Sequence, residues 1–314
     1  MSMIELRKVG FRYGRTPAIQ NFSLEVEEGA SLGLIGPNGC GKTTVLKLVA
    51  TLLRPAEGCV LVNGFDTRLD ARHVRRRIGY VPEHLGVYPR LTVWQYLTFF
   101  ARCAGVPAIE RKTSLETLLR VVDLYDERQI EAERLSRGMR RRLALARALV
   151  HNPAVLLLDD PLGGLDGRGR LELLEVLKEL RGMGITVLMS GHLLGDIVQL
   201  CSHVAILREG RLIRTASVEE LVREELRAAQ RVEIDVLLGE EVARAALDKL
   251  PEVRAVESDG RTISFNYHGD RAGLSTLLDR LVGDGVQVTR FGPGPERFDE
   301  LAAGLSEANG KVSV

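Results

Sequence analysis

The sequence lacks any long apolar run and any excess of charge of one sign. Hydrophobic residues make up 45% of the 314 residues, yet a run such as Ala154 to Leu158 is far shorter than the roughly 20 residues that cross a bilayer. The formal net charge of +1 gives no general reason to expect a nucleic acid as partner. The start of the chain also lacks the charged and apolar regions of a signal peptide. We therefore expect a cytoplasmic protein without membrane spans and without a nucleic-acid partner.

Cysteine is scarce as well, and its spacing excludes the usual structural uses. The cysteines follow neither the paired spacing of a metal site nor a disulfide framework. We expect all of them to be reduced: Cys40, Cys59, Cys103 and Cys201. The chain is long enough for a large core and for two domains.

A glycine-rich stretch is the strongest motif that is present. It runs from Gly36 to Thr44 and fits G-x-x-x-x-G-K-[ST], with strand-like Ser31 to Ile35 before it and helix-like Val45 to Thr51 after it. In that context, backbone N–H groups at a helix N-terminus surround a chain of phosphates. Lys42 supplies charge to the outer phosphates, and Thr43 supplies a hydroxyl to Mg²⁺. The alternative is a glycine-rich turn that binds nothing, but strand, loop, Lys-Thr and helix all occur in the required order.

The whole loop is predicted to contact the nucleotide. Its residues are Gly36, Pro37, Asn38, Gly39, Cys40, Gly41, Lys42, Thr43 and Thr44. A bulky adduct on Cys40 would obstruct the phosphates, so we expect alkylation of this thiol to block ATP binding.

Two adjacent carboxylates end the most apolar run of the chain. Asp159 and Asp160 follow Ala154 to Leu158, a run typical of a buried parallel strand. A buried carboxylate is costly unless it is paired or binds a metal ion, and Mg²⁺ held against phosphates would meet that need. The alternative is a turn that caps the following helix, which explains one aspartate but not both.

Three further positions are ambiguous when each is taken alone. Tyr13 could stack on adenine, although an ordinary half-buried tyrosine is the simpler interpretation. Ser136 and Gly138 precede a strong helical pattern, Arg140 to Val150, and spacing does not decide between a helix cap and an anion site. His192 follows a short β-rich run, where a histidine is more often a structural hydrogen-bonding residue than a catalyst.

The order of elements indicates two domains. A capping box at Thr92 to Gln95 opens a helical block that continues to about Val150. From Arg231 the pattern of strands and helices is βαββαβ, which is the split βαβ, ferredoxin-like plan. We expect a first domain over residues 1–217 with a helical subdomain at about 90–150, a linker helix over 218–230, an accessory domain over 231–305 and a disordered tail over 306–314.

Taken together, the motifs resemble the nucleotide-binding subunit of an ATP-binding cassette (ABC) transporter over about residues 3–230. The segments that carry the resemblance are Tyr13, Gly36 to Thr44, Val81-Pro82-Glu83, Leu135 to Met139, and Leu156 to Asp166 with His192 behind it. The ending Pro295-Glu296-Arg297-Phe298 resembles a bacterial branch whose membrane subunits are separate chains. The resemblance implies an α/β P-loop NTPase cassette with a mixed sheet and an inserted helical subdomain, followed by a small α+β ferredoxin-like domain.

The resemblance also implies roles for residues that bind ATP and Mg²⁺ within one subunit. Tyr13 would stack on adenine, Lys42 would hold phosphates, and Thr43 with Asp159 would organise Mg²⁺. Asp160 stands at the position of the family's general base, and His192 would bind the γ-phosphate.

The remaining roles involve a second copy of the chain. Ser136 and Gly138 would act on ATP that is bound by the partner subunit, and Asp166 belongs to the loop that crosses between subunits. The active unit implied is a head-to-tail homodimer that ATP closes and hydrolysis opens. Glu83 and the helical block would relay that motion to an integral membrane permease.

Three positions depart from the commonest family pattern. Glu83 replaces glutamine and could still ligate Mg²⁺ or engage the attacking water. Arg137 replaces glycine and adds charge beside the trans phosphate site. Asp160 replaces glutamate and is one methylene shorter, and a positioning error of that order costs about 100-fold in rate. We therefore hypothesise slow hydrolysis with intact ATP binding.

The leading functional prediction is an ATPase at the inner face of the cell membrane that drives a separate permease, in export. One alternative is a slow-hydrolysing dimerisation switch that regulates a membrane complex, for which Asp160 is the support. Another is a soluble ATPase that acts on nucleic acid or ribosomes. The single phosphate loop and the lack of a long coiled coil argue against that alternative.

Overall fold

The computed structural model describes residues 2–84, 86, 88–191, 194–221 and 230–293. The chain divides into two compact units, Met1–Val218 and Glu219–Val314. Within the described residues, no helix is both long enough and apolar enough to cross a membrane.

The first unit contains an antiparallel sheet of four strands in the order β2-β1-β4-β5. These strands are β1 (Ser2–Tyr13), β2 (Thr16–Glu27), β4 (Glu57–Val62) and β5 (Phe65–Asp66). Apolar side chains from one face of this sheet, including Ile4, Leu6 and Phe22, are fully buried in the main hydrophobic core. Alternation of buried and exposed residues along β2 is typical of a strand with one face on the core.

A second sheet of six strands has the order β10-β9-β3-β8-β7-β6. Its strands are β3 (Ser31–Ile35), β6 (Ile78–Val81), β7 (Val155–Leu158), β8 (Thr186–Ser190), β9 (His203–Arg208) and β10 (Arg211–Ser217). All neighbours are parallel except the β9–β10 hairpin, so the sheet is mixed, as predicted. Every residue of β3, β7 and β8 is buried, which explains their continuous apolar character. The carboxyl ends of β3, β6, β7 and β8 therefore meet at one edge, where ligands bind in such sheets.

Helices cover these sheets, and several of them form a block between β6 and β7. The helices of the first unit are α1 (Lys42–Val49), α2 (Ala71–Arg75), α3 (Val93–Cys103), α4 (Ala108–Val121), α5 (Arg137–Leu149), α6 (Gly167–Gly182) and α7 (Leu194–Leu200). The predicted capping box is present, because Thr92 Oγ1 accepts the N–H of Gln95 and Gln95 Oε1 accepts the N–H of Thr92. The helical block is thus inserted where the sequence pattern predicts it.

Helix α6 is longer than the sequence pattern indicates. The apolar period predicts a helix from Leu171 to Leu180, whereas α6 begins at Gly167. Glycine weakens the helical pattern at positions 167 and 169. The side chain of Asp166 caps the helix by accepting the N–H of Gly169, and this cap offsets the poor propensity of the first turn.

The second unit has its own sheet and its own hydrophobic core. Its elements are β11 (Gln230–Leu238), α8 (Glu240–Leu247), β12 (Val253–Ser258), β13 (Thr262–Tyr267), α9 (Arg271–Gly283) and β14 (Gln287–Pro293). The strand order is β12-β13-β11-β14, and all neighbours are antiparallel. Ile234, Phe265 and Leu281 are fully buried in its core. This is the arrangement of the split βαβ plan.

Some predictions fall beyond these elements. Residues 222–229 of the predicted linker helix lie outside the described residues, as do residues 294–305 of the predicted accessory domain, which include the Pro295 to Phe298 ending, and the tail over 306–314.

Candidate nucleotide-binding site

The loop from Gly36 to Thr44 has the backbone that its glycines allow. Gly36, Gly39 and Gly41 have φ values of 155°, 79° and 112°. A Cβ atom on Gly36 would lie 2.2 Å from the carbonyl oxygen of Leu207, and one on Gly41 would lie 2.7 Å from Cδ1 of Ile19. Only glycine fits either position, since both the backbone angle and the available space exclude a side chain.

Helix α1 begins directly at this loop, with Gly41 as its N-cap. No side chain caps the helix and no acidic residue lies in its first turn. Most helices use a side-chain cap to satisfy the free N–H groups of the first turn. Here those groups and the helix dipole remain available to an anion, which is the arrangement of a phosphate-binding loop.

Lys42 is only 8% exposed and bonds to the loop itself. Its Nζ donates to the carbonyl oxygens of Gly36 and Pro37, over 2.6 Å and 3.0 Å. The thiol of Cys40 lies 3.9 Å from the same nitrogen. Burial raises the pKa of the Cys40 thiol, and the charge of Lys42 acts against that shift. Lys42, which is predicted to bind the phosphates, therefore lies inside the loop, beside the buried thiol of Cys40.

Asp159 is the centre of a cluster of hydroxyl groups. Its carboxylate is 2% exposed, and Oδ1 accepts hydrogen bonds from Thr43 Oγ1 over 2.9 Å and from Ser190 Oγ over 2.8 Å. The hydroxyl of Tyr80 donates to Oδ2 over 3.4 Å. Burial, followed by the charge of Asp159, raises the pKa of Tyr80, so this phenol stays protonated. The structure thus joins Thr43 to Asp159, the predicted pair, and adds Ser190 and Tyr80, which the sequence did not indicate.

Asp160 adopts a left-handed backbone conformation, with a φ value of 44°. Its N–H donates to Ser190 Oγ over 2.9 Å. Its carboxylate lies against Gly163, where a Cβ atom would come within 2.1 Å of Oδ2. The backbone of Asp160 is therefore held by Ser190 at the end of β8, and its side chain occupies space that the lack of a side chain at Gly163 leaves open.

Arg141 is a further residue that sequence reasoning missed. Its Nη1 donates to the carbonyl oxygen of Pro82, directly before Glu83, over 3.1 Å, and its Nη2 lies 3.5 Å from the carbonyl oxygen of Gly163. Burial lowers the pKa of the Arg141 guanidinium, while the negative charges of Asp160 and Glu83 act against this shift. Arg141 lies within a run of three arginines, so its sequence context resembles that of its exposed neighbour Arg140.

The segment from Ser136 to Gly138 forms the start of α5. Ser136 Oγ accepts the N–H of Met139 over 3.2 Å, so this serine is a helix cap in the structure. A Cβ atom on Gly138 would lie 3.4 Å from Cα of Gly169. Arg137 donates to the carbonyl oxygen of Gly164 over 2.7 Å. Among the described residues, no hydrogen bond joins Ser136 or Gly138 to the loop of residues 36–44.

The remaining predicted site residues make fewer contacts with the phosphate loop or lie outside the described residues. Tyr13 ends β1 and is 50% exposed, with its ring edge-on to Phe11 at 4.9 Å. Glu83 follows β6 and lies 3.8 Å from the exposed ring of His84. Asp166 caps α6, as described above. His192 lies outside the described residues.

Comparison with known proteins shows the family of this chain. Residues 19–163 match the family model described as ABC transporter. The chain is 34% identical over 280 residues to a Nod factor export ATP-binding protein I of Burkholderia thailandensis, covering 89% of this chain and 90% of that protein. It is 36% identical to the daunorubicin resistance ATP-binding protein DrrA3 of Streptomyces coeruleorubidus, covering 96% of this chain and 95% of the other.

A solved structure gives the same result for the fold. The dimeric structure of a bacterial ABC transporter cassette superposes with a TM-score of 0.62 at 28% identity, over 69% of this chain and 99% of that chain. The predicted fold class of the first unit is therefore confirmed. The loop that holds Lys42, the Thr43–Asp159 pair and the agreement with these relatives lead to one conclusion: this chain belongs to the ABC transporter family, as an ATP-binding subunit with an ATPase cassette.

Proposed function

We propose that the chain binds MgATP at Gly36 to Thr44, hydrolyses it as a head-to-tail homodimer, and drives a separate membrane permease in export. The observation that carries the site assignment is the hydrogen bond from Thr43 Oγ1 to Asp159 Oδ1, which joins the phosphate loop to the carboxyl end of β7. A hydroxyl of the phosphate loop and a buried carboxylate at the end of a strand are the ligands that such proteins use for Mg²⁺.

The donor set around Asp159 fits Mg²⁺. This carboxylate is buried and its partners are neutral hydroxyl groups, so a cation would offset its charge. Among the described residues, no group of three or more His, Cys, Asp and Glu side chains could hold a metal ion alone, which is consistent with an ion that takes its other ligands from phosphates and water. Thr43 and Asp159, with Glu83 as a further candidate, would hold the ion, and the bound ion would neutralise charge on the phosphates.

Side chains of this chain would carry out the other parts of ATP binding and hydrolysis. Lys42 would exchange the carbonyl oxygens of Gly36 and Pro37 for phosphate oxygens. Asp160, in the position of the general base, would accept a proton from the attacking water, and His192 would hold the γ-phosphate. Tyr13 would stack on adenine with its exposed face. Because Asp160 is shorter than glutamate, we propose slow turnover with intact ATP binding.

Two features support a dimer that is completed by a second copy. Ser136 and Gly138 make no hydrogen bond to the phosphate loop of their own chain within the described residues. A relative's cassette is known as a dimer. We propose that Ser136, Gly138 and Asp166 contact ATP that is bound by the partner subunit.

The names of the relatives support the proposed direction of transport. Their names refer to Nod factor export and to daunorubicin resistance, which supports export. A separate permease and a place at the inner face of the membrane remain part of our proposal. The accessory domain predicted over residues 231–305 would serve as a binding or dimerisation module. An ATPase that acts on nucleic acid or ribosomes receives no support from these relatives.

Turnover and association test the proposal together. The purified chain should hydrolyse ATP only with Mg²⁺. Addition of ATP should shift the Asp160→Asn variant from monomer to dimer in size-exclusion chromatography. A tagged chain should recover a polytopic membrane protein from solubilised membranes. Hydrolysis that is equally fast without a divalent cation, or recovery of nucleic acid instead of a membrane protein, would contradict the proposal.

A further inference from the structure

One arginine of helix α5, Arg141, contacts two loops that each carry a carboxylate. Arg141 Nη1 donates to the carbonyl oxygen of Pro82 over 3.1 Å, and the next residue along the chain is Glu83. Arg141 Nη2 lies 3.5 Å from the carbonyl oxygen of Gly163. Gly163 is also the residue against which the carboxylate of Asp160 lies. One planar side chain therefore spans the loop after β6 and the loop after β7.

The chemistry of the guanidinium suits this position. It is planar, it remains charged at any accessible pH, and its N–H groups form a rigid fork. Arg141 is half-buried, whereas the preceding Arg140 is exposed. Burial of a cation is costly unless negative charge lies nearby, and the charges of Glu83 and Asp160 both act on this group. Arg141 thus serves as the local counter-charge of these two carboxylates.

The negative charge of Glu83 is the charge that Arg141 offsets. The charges of Glu83, Asp159 and Asp160 all act on Arg141, so Glu83 adds a third carboxylate to this part of the site. Like charges that share a site repel each other and disfavour ionisation. A cation that bridges the two loops, as Arg141 does through Pro82 and Gly163, offsets that repulsion.

We propose that Arg141 is a positioning residue for hydrolysis, which fixes the Glu83 loop relative to Asp160 and compensates the negative charge of Glu83. The inference rests on the proposed role of Asp160. Arg141 makes no hydrogen bond to residues 36–44 within the described part of the chain, so its effect falls on the catalytic step rather than on ATP binding.

A double-mutant cycle tests this role. We expect Arg141→Gln to lower kcat by about 10- to 100-fold, mainly because it leaves the charge of Glu83 uncompensated and also because it releases both loops, while KM for ATP changes by less than about twofold. In the Glu83→Gln background, the loss caused by Arg141→Gln should shrink to a few-fold, because the charge that needed compensation is gone. Arg141→Lys keeps the charge without the fork, so it should restore part of kcat.

The matched control is Arg140→Gln, which makes the same change of charge on the exposed neighbouring residue and should leave kcat unchanged. Melting temperatures of all variants separate a general loss of stability from a loss of positioning. If Arg141→Gln does not fold, Arg141→Lys alone should still lower kcat with an unchanged KM.

Equal effects of the Arg140 and Arg141 variants, or additive effects of Arg141→Gln and Glu83→Gln, would overturn the inference and leave the proposed function intact. A wild-type chain that hydrolyses no ATP in the presence of Mg²⁺ would instead overturn the proposed function, and the role of Arg141 with it.

Discussion

Ser190 Oγ donates to Asp159 Oδ1 over 2.8 Å and accepts the N–H of Asp160 over 2.9 Å. One hydroxyl at the end of β8 therefore orients the proposed metal ligand and the proposed base at once. Ser190 is 1% exposed, so water cannot replace it without a rearrangement.

We predict that Ser190→Ala lowers kcat by about 10- to 100-fold, because residues that orient a metal ligand affect activity to that extent. The Mg²⁺ concentration needed for half-maximal rate should rise as well. Ser202→Ala is the control, since Ser202 also bonds to a neighbouring strand, at Ser31, but away from the site. Both variants should lose about 1–3 kcal/mol of stability. Equal rates in the two variants would show that Ser190 is only structural.

Gly163→Ala should displace Asp160. The new Cβ atom would lie 2.1 Å from Oδ2 of Asp160, a distance that real Cβ contacts do not show. We expect hydrolysis to fall by about 100-fold while ATP binding, measured with a fluorescent analogue, is retained. Gly167→Ala is the matched control, because nothing lies within 4 Å of its Cβ position. Normal hydrolysis by Gly163→Ala would mean that the observed position of Asp160 is not needed for turnover.

Asp160→Glu should raise the rate of single-turnover hydrolysis, because the longer side chain reaches further toward the attacking water. It should also lower the melting temperature, since aspartate tolerates the left-handed backbone at this position better than glutamate does. Asp160→Asn should abolish most hydrolysis. An unchanged rate for Asp160→Glu would show that Asp160 is not limiting, and an unchanged rate for Asp160→Asn would show that it is not the base.

Alkylation should distinguish two cysteines of this chain. Cys103 is exposed, whereas Cys40 is buried and its pKa is raised by that burial. Since the thiolate is the reactive form, a raised pKa means less thiolate at neutral pH, and reaction at Cys40 should accelerate as the pH rises. In a Cys103→Ser variant, iodoacetamide should abolish ATP binding slowly at pH 7 and faster at pH 9. Full ATP binding by a sample alkylated at Cys40 would contradict the predicted place of this residue.

Local patterns predicted much of the site. The phosphate loop is one continuous segment, and the fully buried strand β7 has a continuous apolar sequence that ends at Asp159. Both the loop and the end of the strand can therefore be recognised without knowledge of the rest of the fold. The inserted helical block was predicted for the same reason, whereas the mixed sheet was implied by the family resemblance.

Other parts of the site depend on pairing between distant strands. Ser190 lies 30 residues beyond Asp160, and Tyr80 lies 79 residues before Asp159. Only the parallel alignment of β6, β7 and β8 brings their hydroxyls to one carboxylate. Arg141 was not predicted because nothing in the run of three arginines indicates which of them faces the site: Arg140 is exposed, Arg141 is half-buried and Arg142 is buried. Such residues require the three-dimensional register, which no local pattern contains.

The hydrogen bonds of Lys42 have a consequence for selectivity among nucleotides. Because its Nζ already bonds to the carbonyl oxygens of Gly36 and Pro37, binding replaces two existing partners rather than adding new ones. The net gain is the difference between phosphate oxygens, which carry charge, and neutral carbonyl oxygens. Adenosine and AMP lack the outer phosphates that would compete for this lysine, so we expect the loop to bind nucleotides with more phosphates more tightly.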